Sequence, residues 1–297
     1  MINIIPSYIW LTLVASVLHA FSFTYTKQFL AHSNNRMKLA FYSQYAVGLI
    51  AFCLLPWVDL DQLWANIELI VLMCVFILIA QTSYLNALQH GDASFVVPML
   101  GCKMFAVAGL SVLFLGETYS PIVYLGAAGA FASLFFLNDG KLHGSPKALG
   151  FVLITCVLFA FADISFVVLL NNGMSGLDLA VFVFIVPTVL LMPFSPVIFK
   201  RDWQVSKPFR KTLLIYAVVQ LAGIIILMYA FKQAQQVTVI NIVQSSRGFL
   251  AVGVVYLMAR FGFSHIETLS KRQLINRSFG GFLMFASLAV AVMGLQT

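Results

Sequence analysis

Ten runs of about 20 mostly apolar residues, joined by short connections, leave this chain few architectures. In hydrocarbon every backbone N–H and C=O has to be satisfied within the protein, and a helix does so by itself. At 1.5 Å per residue, about 20 residues cross a bilayer core of about 30 Å. The runs lie at 6–30, 38–58, 65–88, 93–115, 119–138, 148–171, 178–199, 211–232, 237–259 and 275–294. With 61% hydrophobic and 9% charged residues, against roughly a quarter charged in soluble domains, the chain reads as an all-α membrane protein with ten transmembrane helices. Met1 to Pro6 holds no basic residue and no small-residue cleavage pattern follows, so the first run is read as retained. Turn signals such as His90-Gly91-Asp92, Asn138-Asp139-Gly140 and Asn171-Asn172-Gly173 punctuate the connections.

The basic residues sort by loop. Arg36 and Lys38, Lys141 and Lys147, the cluster from Lys200 to Lys211, and Arg260, Lys271, Arg272 and Arg277 all fall in alternate connections. The opposite connections hold Asp59, Asp61, Glu68, Glu117 and Asp178 and no Lys or Arg. By the positive-inside rule both termini face away from the cytoplasm, and the expected location is the cytoplasmic (inner) membrane. The net charge of +7 therefore reports topology and attraction to lipid headgroups, and no basic face is gathered for a nucleic acid. Cys53, Cys74, Cys102 and Cys156 lie inside apolar runs without CxxC or metal-ligand spacing and read as small buried hydrophobes; no metal or cofactor is expected.

The two halves of the chain resemble each other. Ser16 to Phe21 aligns with Cys156 to Phe161, and Gln89, Lys103, Phe105, Gly109 and Leu113 align with Gln233, Arg247, Phe249, Gly253 and Leu257 at one constant offset. Five spans per half is an odd number, so the second half is expected upside down relative to the first. The fold expected is two inverted five-helix repeats, residues 1–145 and 146–297, with substrate bound near the midplane.

Two such halves, with Phe114-Leu115-Gly116-Glu117-Thr118 after the fourth run and Ile266-Glu267-Thr268 after the ninth, resemble the drug/metabolite transporter superfamily with paired EamA-type domains. The resemblance implies a ten-helix alternating-access carrier, commonly an exporter of amino acids or other small metabolites. Members of that group are usually drawn with both termini in the cytoplasm, opposite to the reading of the basic loops.

Charges inside the runs point to the site. Arg247 lies near the middle of its run, where an arginine costs about 2.5 to 3.5 kcal/mol on insertion scales, and it borders a polar, small-residue stripe of Asn241, Gln244, Ser245 and Gly248. Its repeat mate Lys103 lies mid-run as well. The two cations read as a floor for a substrate carboxylate or phosphate, or else as structural partners of Asp163. Asp163, the acid well inside a run, reads as a proton-coupling group or as a counter-ion. His19 reads as a proton relay or as a neutral imidazole bonded to a neighbouring helix. Gln81 and Tyr84, and Gln220 and Ile224, share helix faces and either line a cavity or join helices by hydrogen bonds. Pro98, Gly101 and Pro187 are expected to kink their helices, and Lys27 and Lys232 to snorkel.

No nucleotide-binding or dinucleotide motif occurs, and His19 and Asp163 lack the motifs of a metalloprotease or serine hydrolase, so an enzyme is not expected. The function expected is secondary active transport of a small polar metabolite: an amino acid, an organic acid or a phosphorylated compound. Flipping of a phosphate-bearing lipid-linked sugar is the alternative, and a non-transporting receptor or scaffold is the alternative of another class. Membrane lipids are the expected surroundings, for a monomer or homodimer.

Overall fold

The computed structural model describes residues 6–31, 35–115, 120–137, 145–199, 205–235, 237–260 and 270–293, which form helices joined by turns, with no strand among them. In chain order these are α1 (Ser7–Tyr25), α2 (Arg36–Phe52), α3 (Leu60–Ala65), α4 (Ile67–His90), α5 (Ala93–Met99), α6 (Lys103–Leu115), α7 (Pro121–Leu137), α8 (Pro146–Asn171), α9 (Gly176–Leu191), α10 (Ser195–Phe199), α11 (Lys207–Ala234), α12 (Val237–Ser245), α13 (Arg247–Arg260) and α14 (Lys271–Met293). Among the described residues, six helical segments are long and apolar enough to cross a membrane: Ser7–Phe29, Ile67–His90, Pro146–Asn171, Gly176–Phe199, Lys207–Ala234 and Ile240–Arg260. The other runs hold α2, α5 with α6, α7 and α14, which are shorter or more polar. The Gly116-Glu117-Thr118 and Ile266-Glu267-Thr268 motifs, the Asn138-Asp139-Gly140 turn, Lys141, Lys200 and Arg201 lie outside the described residues.

Local chemistry sets the helix ends. Ser175 and Asp178 form a reciprocal capping box at the start of α9, and Ser145 and Ser206 cap α8 and α11 just ahead of Pro146 and Pro208. α8 stops at the Asn171-Asn172-Gly173 turn. Gly173 has φ of 99°, and the amides of Gly173 and Met174 bond back to Leu170 and Leu169 at 3.2 Å each, the paired closure that wants a left-handed residue.

The two apolar runs that carry Lys103 and Arg247 are interrupted helices. α5 gives way to a 3₁₀ turn over Leu100–Cys102 before α6 begins at Lys103; Pro98 lacks the N–H that would bond Ser94. The run around Arg247, expected as one continuous rod, is instead divided at Ser246 into α12 and α13, with Arg247 the first residue of α13. The cause lies in the serines. The Ser245 hydroxyl donates to the Ile242 carbonyl at 2.6 Å, and the Ser246 amide turns to Val243 at 3.1 Å instead, so a hydroxyl has displaced the amide from its helical acceptor. Pro187, by contrast, lies within α9.

The helices pack around a common interior. α4 lies along α8 and α1 along α11, α14 lies on α7, and α2 crosses α9 where Gly48 leaves room for the Thr188 side chain. Gln44 on α2 donates to the Phe184 carbonyl at 3.0 Å. Cys74, Cys102 and Cys156 are buried, but Cys53 is exposed, a departure from the reading of all four as buried.

Candidate functional site

The mid-run charges lie around one cavity. It is walled by α1, α4, α8, α9 and α11 and by the two helix breaks. Lys103 comes from the start of α6 and Arg247 from the start of α13, so each cation sits where a helix has been interrupted. Asp163 reaches in from α8, His19 and Phe23 from α1, Gln81 and Tyr84 from α4, Gln220 and Ile224 from α11, and Gln244 from α12.

The three charges are not equivalently paired. The Lys103 ammonium lies 2.6 Å from Asp163 Oδ2 and also donates to Gln244 Oε1 at 3.1 Å, with both charged side chains almost fully buried. Arg247 has no carboxylate within ion-pair distance among the described residues. One of its terminal nitrogens lies 3.5 Å from the Leu100 carbonyl in the opposite helix break, its guanidinium stands 5.2 Å from the centroid of the Phe23 ring, and its buried Nε has no hydrogen-bond partner. The structural ion pair weighed for Asp163 is therefore made by Lys103, and Arg247 remains a buried cation with donors to spare.

His19 is 2% exposed, and neither imidazole nitrogen makes a hydrogen bond. The bond to a neighbouring helix expected of a structural histidine is thus not made. Its ring packs instead against Gly223 of α11, where a Cβ would fall 2.7 Å from His19 Cδ2. A buried polar atom left without a partner costs about 1–3 kcal/mol, so such atoms are ordinarily met by water, an ion or a ligand.

The amide and phenol groups do two things at once. Gln81 donates to Ser43 and to the Tyr216 hydroxyl at 3.1 Å each, Tyr84 donates to the Phe23 carbonyl at 2.8 Å, and Ser22 donates to Gln220 at 2.6 Å. They join helices and line the cavity together. Asn241 does not reach it: its amide nitrogen bonds back to Val237 within α12 at 3.0 Å, and its side chain is absent from the lining. Asn241 and Gln244 share α12, so the break at Ser246 leaves their register intact and takes only Gly248 out of the stripe. Lys27, expected to snorkel, instead meets Asp92 Oδ1 and the Gly91 carbonyl at 3.4 Å each.

Sequence reasoning missed the apolar part of the lining. Phe159, Phe166 and Phe184 face the cavity, yet in a chain with 28 phenylalanines nothing in the sequence separates these three from the rest, whereas Phe23 shares a helix face with His19 at a spacing of four. Tyr216, four residues before Gln220 in the same run, carried a weak helical-spacing signal. Among the described residues no group of three or more His, Cys, Asp or Glu is arranged to hold a metal ion. The arrangement is suited to non-covalent binding: buried cationic and polar donors on one side and aromatic surface on the other.

Residues 6–139 match the family model described as the EamA-like transporter family. A solved chain titled only as the crystal structure of a protein shares 15% sequence identity, with 98% of this chain and 97% of that chain covered and a TM-score of 0.64, a likeness of fold. No curated protein matches the sequence.

Proposed function

Since this chain belongs to the drug/metabolite transporter superfamily through its EamA-like domain, a multi-pass membrane protein that handles a small molecule, we propose that it is a secondary active carrier of a small metabolite bearing an anionic group. The observation that carries the proposal is Arg247: a cation 4% exposed, facing the central cavity, while the carboxylate beside it is already engaged by Lys103 at 2.6 Å. A fixed buried charge of this kind is costly unless a ligand neutralises it. Tyr84, Gln81 and Gln244 orient the substrate, Lys103 assists, and Asp163, with His19, carries the coupling proton.

The proposal includes ten spans in two inverted repeats, 1–145 and 146–297, in the inner membrane, with alternating access by rocking of one repeat against the other. The packing supports it. Exchanging α1 with α8, α2 with α9, α4 with α11 and α6 with α13 turns the α4–α8 contact into α11–α1, α6–α8 into α13–α1, and α2–α11 into α9–α4, and all of these occur. Gln44 meets Phe184 and Gly48 meets Thr188, pairs separated by the same interval along the chain, as expected at a pseudo-twofold axis.

The test is counterflow of labelled anionic metabolites in proteoliposomes. Charged hydrogen bonds contribute about 1.5–3 kcal/mol, so Arg247→Gln should weaken binding about tenfold to a hundredfold while the protein stays folded. Normal binding by the folded variant refutes the role of Arg247. A second reading, flipping of a phosphate-bearing lipid, is favoured by an apolar groove between α2, α4 and α10 that shares Gln81 with the cavity. Transfer of labelled lipid between leaflets without metabolite flux selects that reading instead.

A further inference from the structure

Three features of the cavity narrow its ligand. The first is charge balance. Lys103 and Asp163 neutralise each other at 2.6 Å, which leaves the Arg247 guanidinium as the formal charge without a counter-charge among the described lining residues. One surplus positive charge in a buried space is matched by one negative charge, and a second would itself be unpaired.

The second feature is a pair of donors on one wall. Arg247 and His19 both pack on the Phe23 ring, the guanidinium carbon 5.2 Å and the imidazole centroid 6.0 Å from its centroid. Arg247 Nε and both His19 nitrogens are buried and make no hydrogen bond. The guanidinium offers a planar fork and the neutral imidazole one N–H, a donor set that suits the two oxygens of a carboxylate. The third feature is the rest of the lining, where Phe159, Phe166, Phe184, Ile77 and Leu227 offer aromatic and aliphatic surface but no free carboxylate for an ammonium group.

Resting on the anion-carrier reading above, we propose that Arg247 and His19 form a subsite for the carboxylate of a monoanionic organic acid with an apolar, ring-sized body, and that the cavity discriminates against zwitterionic amino acids and doubly charged phosphate esters. The ammonium of an amino acid would lose its water without gaining an acceptor, because Asp163 is held by Lys103. A phosphate dianion would have to draw Lys103 away from Asp163 to match its second charge, leaving that carboxylate unpaired. Gly223 belongs to the subsite as well, because a Cβ there would come 2.7 Å from His19 Cδ2 and 2.8 Å from Nε2 and push the ring from its seat.

Calorimetric titration of the purified protein with probes that share a phenylethyl group tests this: 3-phenylpropanoate, its neutral amide, phenylalanine and 2-phenylethyl phosphate. The monoanion should bind at least about tenfold more tightly than each of the others, the loss expected for one charged hydrogen bond or one unpaired charge. His19→Phe, which keeps an aromatic ring edge-on to Phe23, and Gly223→Ala, which leaves every donor in the sequence, should each weaken 3-phenylpropanoate about tenfold and leave the amide unchanged. Phenylalanine or the phosphate binding as tightly as the monoanion overturns the proposed selectivity and leaves the anion-carrier reading standing. Undiminished binding of 3-phenylpropanoate by folded His19→Phe overturns the assignment of His19. If none of the charged probes binds and no anionic metabolite shows counterflow, the anion-carrier reading itself falls.

Discussion

The Lys103–Asp163 pair can be measured by a double-mutant cycle. At 2.6 Å and an effective dielectric constant of about 20, the attraction between the two charges is about 6 kcal/mol, most of which offsets the loss of water from both groups. Removing one partner of such a pair costs about 3–5 kcal/mol, because the other is left charged and buried, whereas replacing both by apolar groups of similar volume is close to neutral. The two single variants should not be equal. Lys103→Met leaves Asp163 in a cavity that still holds Arg247, but Asp163→Leu leaves two cations facing one space, so Asp163→Leu should be the more destabilising. Reversible unfolding titrations in mixed micelles on the wild type, both singles and the double variant give the coupling energy directly. We expect a coupling of about 3 kcal/mol or more, with the double variant more stable than Asp163→Leu alone. Single effects that add to within about 0.5 kcal/mol would refute the argument that these charges hold each other.

Other outcomes follow from the packing and the loops. Gly48→Ala puts a methyl group onto the Thr188 side chain and should destabilise the protein by about 1–3 kcal/mol, with Thr188→Ala on the same chain restoring most of the loss in thermal unfolding. Ser175→Ala removes one side of the capping box of α9 and should cost about 1 kcal/mol, with no effect on ligand binding. Reporter fusions at Lys207 and Lys271 should report cytoplasm and fusions at Gln62 and the C-terminus the opposite face; the reverse pattern would overturn the orientation read from the basic loops. Asp163→Asn, which removes the proposed proton carrier, should abolish gradient-driven accumulation in proteoliposomes but spare exchange, and unchanged accumulation would leave Asp163 as a counter-ion alone.

The charged part of the site was legible in the sequence because hydrophobic runs make exceptions conspicuous. Lys103, Asp163, Arg247 and His19 stand out against their neighbours, and the structure brings all four to one cavity. The partner choice was not legible, because which of two cations takes one carboxylate depends on sub-ångström placement that spacing does not carry. The α5–α6 break was foreshadowed by Pro98 and Gly101, but the break at Ser246 was not: serine is an ordinary helical residue until its hydroxyl finds a carbonyl. Asn241 was lost for another reason: its amide nitrogen bonds back to the Val237 carbonyl within α12, a local choice that helical spacing does not carry.

The two helix breaks differ in kind. Pro98 has no amide hydrogen in any conformation of the chain, so the bond to Ser94 missing from α5, just before the turn ahead of Lys103, is fixed by covalent structure. Ahead of Arg247 every amide is present, and the interruption is a choice of partner: the Ile242 carbonyl is held by the Ser245 hydroxyl and the Ser246 amide by Val243. Exchanging those partners would rewind α12 and α13 into a single rod without making or breaking any covalent bond. Of the two interruptions, only the one ahead of Arg247 can be erased by a hydrogen-bond exchange, and it opens the helix of the arginine that has no carboxylate partner among the described residues.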